Sequence, residues 1–154
     1  MKINSVTLKG TYDFIHRDKT GRIIDQFSVD NTITSAAKAA LALLIQGNAT
    51  TKYTRIAIGS SATAAVVGNT TLAAEITSPS LARALSTATR VTTTVTNDTS
   101  NLVHTYSSTA TQTVQEAGVF DSASGGTLLS RVTFTAKNLS SGDTLQVTHK
   151  CKVA

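Results

Sequence analysis

Three histidines, one cysteine and two glutamates are the residues from which chemistry would have to be built. His149 and Cys151 stand two apart on one face of a predicted strand, a spacing that could bring both to a zinc ion. The same face otherwise carries Leu145, Val147 and Val153, and no third and fourth ligands lie at metal spacing, so a satisfied core histidine and a buried thiol are expected. His16 and His104 have no ligand-type neighbour at close spacing. A serine nucleophile needs a base within reach and a group to orient that base. Gly-x-Ser-x-Gly is absent, and Gly59-Ser60-Ser61 lacks the helix that a nucleophile elbow requires. Glu75 and Glu116 are far apart in sequence, and pairing with Arg83 or Arg131 is the expectation for them rather than paired acid and base. Neither a phosphate-binding loop nor a dinucleotide fingerprint occurs. The sequence thus predicts no catalytic residue, no cofactor and no metal.

The elements that would position these residues are mostly strands. Val6, Leu8, Tyr12, Phe14 and Ile23 to Val29 alternate around Asp18-Lys19-Thr20-Gly21, which predicts an N-terminal hairpin over 1–30. The segment 33–47 holds the one predicted helix, about Ser35 to Gln46, capped by Thr34 or Ser35 and closed by Gly47. It is apolar nearly all round, with Lys38 and Gln46 as its main polar points, and such a helix must be covered on more than one side. Arg55 to Gly59 reads as a short buried strand, Ser60 to Thr71 as a small-residue loop, and Leu72 to Ile76 as one helical turn. Further strands are predicted over Val91 to Thr96, Leu102 to Thr113 and Val114 to Phe120, with a turn at 97–101. Leu128, Ser130, Val132 and Phe134 are expected on one strand face. In the final strand Leu145, Val147, His149, Cys151 and Val153 alternate with Gln146, Thr148, Lys150 and Lys152. The pattern predicts a mainly β chain forming one domain over 1–154. It would be an antiparallel, jelly-roll-like β-sandwich carrying one α-helix, with the sandwich proper over 53–154.

The 154 residues suffice for a sizeable core. The longest apolar stretch, Ala39 to Ile45, is too short to cross a bilayer, and Met1 to Val6 alternates, so neither a membrane span nor a leader is expected. A single cysteine makes no internal disulfide, which fits assembly in a reducing cytoplasm. Hydroxyl residues dominate, with 28 Thr and 16 Ser, and Trp is absent. Threonine suits half-exposed strand surfaces. The net charge of +5 comes without a basic run or interleaved aromatics, so a specific nucleic-acid partner is not expected.

Two blocks carry a likeness. The first is Arg55-Ile56-Ala57-Ile58-Gly59, a small-residue loop, Thr71 to Ile76 and then Arg83. The second is Glu116-Ala117-Gly118-Val119-Phe120-Asp121, then Ser124 to Phe134 and later Gly142 to Leu145. The arrangement resembles small virion structural proteins of tailed bacteriophages, of the capsid-cement or tail-fibre-like kind. That resemblance implies a virion location and a homo-oligomer, trimer or dimer, stabilising the shell by packing between capsomers of the major capsid protein. A tail component (a fibre-attachment or baseplate-proximal subunit) is the alternative, with tail proteins as partners. A carbohydrate-binding sandwich for host recognition is a third reading, weakened by the shortage of aromatics.

The assembly surface is expected at Met1, Lys2, Ile3, Lys19, Arg22, Val66, Val67 and Asn69, the last three on a loop long enough to rest on a partner rather than on its own core. Gly59, Leu72, Glu116, Gly118, Phe120, Gly125, Gly126, Leu128, Arg131 and Phe134 are expected to determine the fold. A Glu116–Arg131 pair across the strands, if exposed, would contribute about 0.2–1 kcal/mol.

Overall fold

The computed structural model describes residues 6–47 and 52–154. Ten strands and one helix follow in the order β1 (Leu8–Arg17), β2 (Ile23–Asp30), β3 (Thr32–Ile33), α1 (Ser35–Ile45), β4 (Arg55–Gly59), β5 (Ala84–Leu85), β6 (Thr87–Val91), β7 (Thr99–Ser107), β8 (Gln112–Phe120), β9 (Leu128–Leu139) and β10 (Thr144–Val153). They form two five-stranded sheets, β2-β1-β10-β7-β6 and β3-β9-β8-β4-β5, with antiparallel neighbours throughout. The chain is therefore mainly β, a sandwich-like fold with one helix. No described helix is long and apolar enough to cross a membrane.

The first sheet follows the period of two. Tyr12, Phe14, Leu145, Val147, His149, Leu102 and Tyr106 point inward and are buried, while Thr11, Lys150 and Asn101 lie on the outer face. The opening hairpin is part of this sheet, because β1 pairs with β10 along its whole length from Leu8↔Val153 to Arg17↔Thr144. Its turn is held by Asp18, whose Oδ1 accepts from the Thr20 and Arg22 amides at 2.9 and 3.1 Å. Phe14, Phe27 and the partly buried Phe134 gather at one end of the core, with ring centroids 4.5–5.3 Å apart.

The second sheet is covered on both faces, which is why its central strands read as continuous apolar runs. Ile56, Ile58, Ala117, Val119 and Val132 join the main core. On the far side Ala57, Leu72, Phe120 and Leu128 make a second, smaller core beneath the chain between β4 and β5. A bulge at Leu129 connects the two: Val119 pairs with Ser130 but Phe120 pairs with Leu128. Leu128 thus faces outward and Ser130 inward, so the single face expected for Leu128, Ser130, Val132 and Phe134 is broken.

Other segments also differ from the sequence reading. Leu72 to Ile76 is not a helical turn; it runs extended beside β4, with a Gly59↔Glu75 bridge and the Ile76 amide on the Ile58 carbonyl at 2.9 Å. Of the strand predicted over Val91 to Thr96 only Val91 lies in a strand, as the last residue of β6. Asp98 accepts backbone N–H bonds from Thr93, Thr94 and Val95 at 2.8–2.9 Å and draws 92–98 into a loop instead. The strand expected over Leu102 to Thr113 is two, β7 and β8.

Candidate interaction surface and the supports beneath it

The closest approach to a catalytic constellation is Ser130, His149 and Asn31. Ser130 Oγ lies 3.1 Å from His149 Nε2, and Asn31 Nδ2 lies 3.0 Å from the same atom. An orienting group must hold the other ring nitrogen, and Nδ1 has no hydrogen-bond partner among the described residues. Ser130 and His149 are both fully buried, with the Tyr12 hydroxyl 3.0 Å from Ser130 and its ring 4.7 Å from the imidazole. This cluster is a core hydrogen-bond network without substrate access. Burial pushes His149 down to about 3, so the imidazole is neutral, and Cys151 beside it is a buried free thiol, raised by the same cause. Among the described residues no group of three His, Cys, Asp or Glu side chains could hold a metal ion.

The two glutamates are structural. Glu116 and Arg131 lie on the outer face of β8 and β9, 0 % and 1 % exposed, and Arg131 reaches Glu116 Oε2 from Nε at 2.8 Å and from Nη2 at 2.7 Å. Glu116 also accepts from the Ala73 and Ala74 amides at 3.0 and 2.7 Å. Arg131 donates to the Thr63 and Ala64 carbonyls and to Asn69 Oδ1 at 2.8, 3.2 and 3.1 Å. The condition of exposure, under which the pair would be worth little, is not met: the pair is a buried strut that fixes the loop after β4. Asn69, expected at an interface, serves that strut, and its Oδ1 also accepts from the Val66 amide at 2.8 Å. The loop rests on its own sheet, contrary to expectation.

A second strut holds the next stretch. Arg83 forms a bidentate pair with Glu75 at 2.9 and 2.7 Å and donates from Nη1 to the Ser122 and Gly125 carbonyls at 3.0 and 2.8 Å. Its guanidinium carbon stands 3.5 Å from the Phe120 ring centroid.

Close packing explains the glycines. A Cβ on Gly118 would stand 2.8 Å from Leu72 and 2.9 Å from Leu128. Gly126 needs its positive φ of 76° to close the β8–β9 turn, which also contains Gly125. At Gly59 a Cβ would meet Glu116 Oε1 at 2.4 Å and the Ala74 carbonyl at 2.6 Å. Gly59→Ala is accordingly expected to lower unfolding free energy by about 1–3 kcal/mol in urea titrations. Gly68→Ala on the same excursion, where a Cβ meets nothing within 4 Å, should be neutral or slightly stabilising. Equal effects at the two positions would mean that the excursion is not locked against β4.

On this rigid frame the helix is the anomaly. Thr34 caps it, accepting from the Ala37 amide at 3.1 Å while its hydroxyl donates to the Leu128 carbonyl at 2.5 Å. The Ser35 amide donates to the Val67 carbonyl at 2.8 Å, which ties the exposed Val66 and Val67 to the helix start. Of its residues only Ala37 is buried. Leu43 is 48 %, Leu44 37 % and Ile45 88 % exposed, and Val6 (79 %) and Val153 (52 %) stand open beside the chain ends of the first sheet. Lys38, Leu41, Ala42 and Ile45 share one helical face. With Leu44, Val6, Leu8 and Val153 they line a groove of ≈ 540 Å³. A second hollow of ≈ 420 Å³ shares Leu8, Leu41, Leu44 and Val153 with it and extends it past Lys52, Tyr53 and Arg90.

Of the other residues expected at an interface, Lys19 and Arg22 are exposed at the β1–β2 turn, Arg22 paired with Asp18 at 3.0 Å. Met1, Lys2 and Ile3 lie outside the described residues. The helix is expected to need cover, yet none of its residues stands among those expected at the interface, although the signal, a run from Ala36 to Ile45 with one charge, is plain in the sequence.

What the fold and this surface define is a sandwich-like β domain presenting an apolar helix. No family model, curated protein or solved structure matches the chain.

Proposed function

We propose that this protein is a structural subunit that works by packing against other chains, and specifically a virion subunit of the capsid-decoration kind. One observation carries the packing role: α1 leaves Leu43, Leu44 and Ile45 open on a frame otherwise braced by one buried and one half-buried ion pair. Burying a leucine or isoleucine side chain is worth roughly 1.5–3 kcal/mol, so covering this surface favours association. Monomeric proteins rarely leave contiguous apolar patches of this kind uncovered. The virion assignment is supported by the two residue blocks that resemble phage structural proteins, and those blocks hold the struts described above. Repetition over a shell lets modest contacts add up through avidity.

The experiment is rebinding to shells stripped of the protein. The chain should bind in fixed proportion to the major capsid protein and raise the melting temperature of the shell by mass action. Leu43→Asp with Ile45→Asp should abolish rebinding without loss of the monomer's circular dichroism. Association with tails instead, at a copy number set by tail symmetry, would move the subunit to the tail. Retained rebinding by the double variant would remove the helix from the contact.

A further inference from the structure

The open cleft beside α1 has a charge as well as a shape. Three cations stand along its lining: Lys38 on the helix, Lys52 after it and Arg90 at the end of the edge strand β6. All three are exposed, and none has a carboxylate partner among the described residues. The one lining carboxylate, Asp98, is turned into its own loop. Its Oδ1 accepts from the Thr93 amide and the Thr99 hydroxyl, and its Oδ2 from the Thr94 and Val95 amides. Those bonds hold its carboxyl well below the usual carboxylate range, so it stays ionised, and the three cations outnumber it by two along the lining. The floor between the cations is apolar, made by Leu8, Leu41, Leu44 and Val153.

From this we infer that the cleft docks an apolar segment of a partner chain flanked by carboxylates. The inference rests on the packing role proposed above and names the chemistry of the partner. Apolar side chains would fill the floor, and acidic residues on either side would meet Lys38, Lys52 and Arg90. Charged rims of this kind set partner choice and approach rate, while the apolar centre sets the lifetime of the complex. A second copy is the poorer occupant. A two-fold contact sets the same patch against itself, which would bring two sets of three cations together.

The test uses the full chain and a synthetic amphipathic peptide with leucines on one face and glutamates on the other, followed by fluorescence anisotropy. Saturable binding that weakens with added salt is expected, with the same peptide carrying lysines in place of glutamates bound at least about tenfold more weakly. Lys52→Glu with Arg90→Glu should reduce affinity for the glutamate peptide about tenfold and leave thermal unfolding unchanged, since both side chains are exposed. Ile45→Asp should remove binding. Equal affinity for the two peptides, or for neither, would overturn the inference. So would binding to phosphatidylglycerol vesicles that the glutamate peptide does not displace, which would make the cleft a lipid site. Dimerisation abolished by Ile45→Asp and indifferent to peptide would assign the cleft to a second copy. The shell assay separates the two ideas. Rebinding without peptide binding sinks the acidic-segment assignment alone, and peptide binding without rebinding leaves the cleft and removes the shell.

Discussion

Replacing Arg131 with methionine is expected to lower the unfolding free energy by about 3–5 kcal/mol, the range found when one partner of a buried pair is removed. The reason is what stays behind. Glu116, wholly buried, would keep only the Ala73 and Ala74 amides, and the carbonyls of Thr63 and Ala64 would lose their donor. A loss of this size is a large share of a typical domain's stability. Urea unfolding gives its magnitude, and limited proteolysis gives its location, with new cleavage expected between residues 60 and 75. Combining Arg131→Met with Glu116→Leu should recover part of the loss by removing the stranded charge. Recovery should be incomplete, because the loop amides and carbonyls still lack partners. A single-variant loss below about 1 kcal/mol, as surface pairs give, would mean that the strut is open to water.

Acid should expose the second large effect. The unfolded chain protonates His149 near its ordinary value of about 6.5, whereas burial holds the folded imidazole down to about 3. Below the unfolded value the unfolded state therefore binds one more proton than the native state. The stability that rests on neutral His149 is fully present above about pH 6.5 and is lost as pH falls toward 3, with a slope approaching 1.4 kcal/mol per unit. Summed over that window the loss is on the order of a few kcal/mol. The carboxylates act lower on the scale. Asp13, Asp25 and Asp143 are held below the usual range by their Lys150, Lys137 and Ser140–His16 partners, among other contacts, so their contribution fades only below about pH 4. His149→Gln should flatten the stability profile between pH 6.5 and 4 and leave the lower limb in place. His104, half-buried and also depressed by burial, is the control, and His104→Gln should change the slope less. An unchanged acid limb in His149→Gln would place the lost protons elsewhere.

The fold was legible where a strand has one wet face. The alternation of Leu145 to Val153 fixed which residues of β10 point inward, and Asp18 with Gly21 fixed the first turn. It was less legible where a sheet is covered twice, because a strand buried on both faces has no alternation to read. The Leu129 bulge shows the consequence: a shift of one residue carries Leu128 to the outer core and Ser130 to the inner one. The struts were half legible. Glu116 with Arg131 followed from the reversal that joins their strands, whereas Glu75 had either Arg83 or Arg131 as its expected partner. The burial of the pairs did not follow, since it depends on a loop folding back over the sheet and contributing main-chain partners that no side-chain pattern encodes. The helical surface was visible as a run of alanine and leucine in want of cover, but the cations along its cleft, Lys38, Lys52 and Arg90, come from three separate stretches of chain.

The place of β10 has a consequence for how the molecule is made. It lies between β1 and β7, and the Lys150–Asp13 bridge spans 137 residues of chain. During synthesis β1 leaves the ribosome well before β10, and the edge that β10 will pair stays bare until that strand has followed. Over the same interval β7 too lacks its inner neighbour, so the first sheet cannot be complete before β10 is in place. Loop closure over such a distance slows folding and keeps unpaired strand edges in contact with other nascent chains.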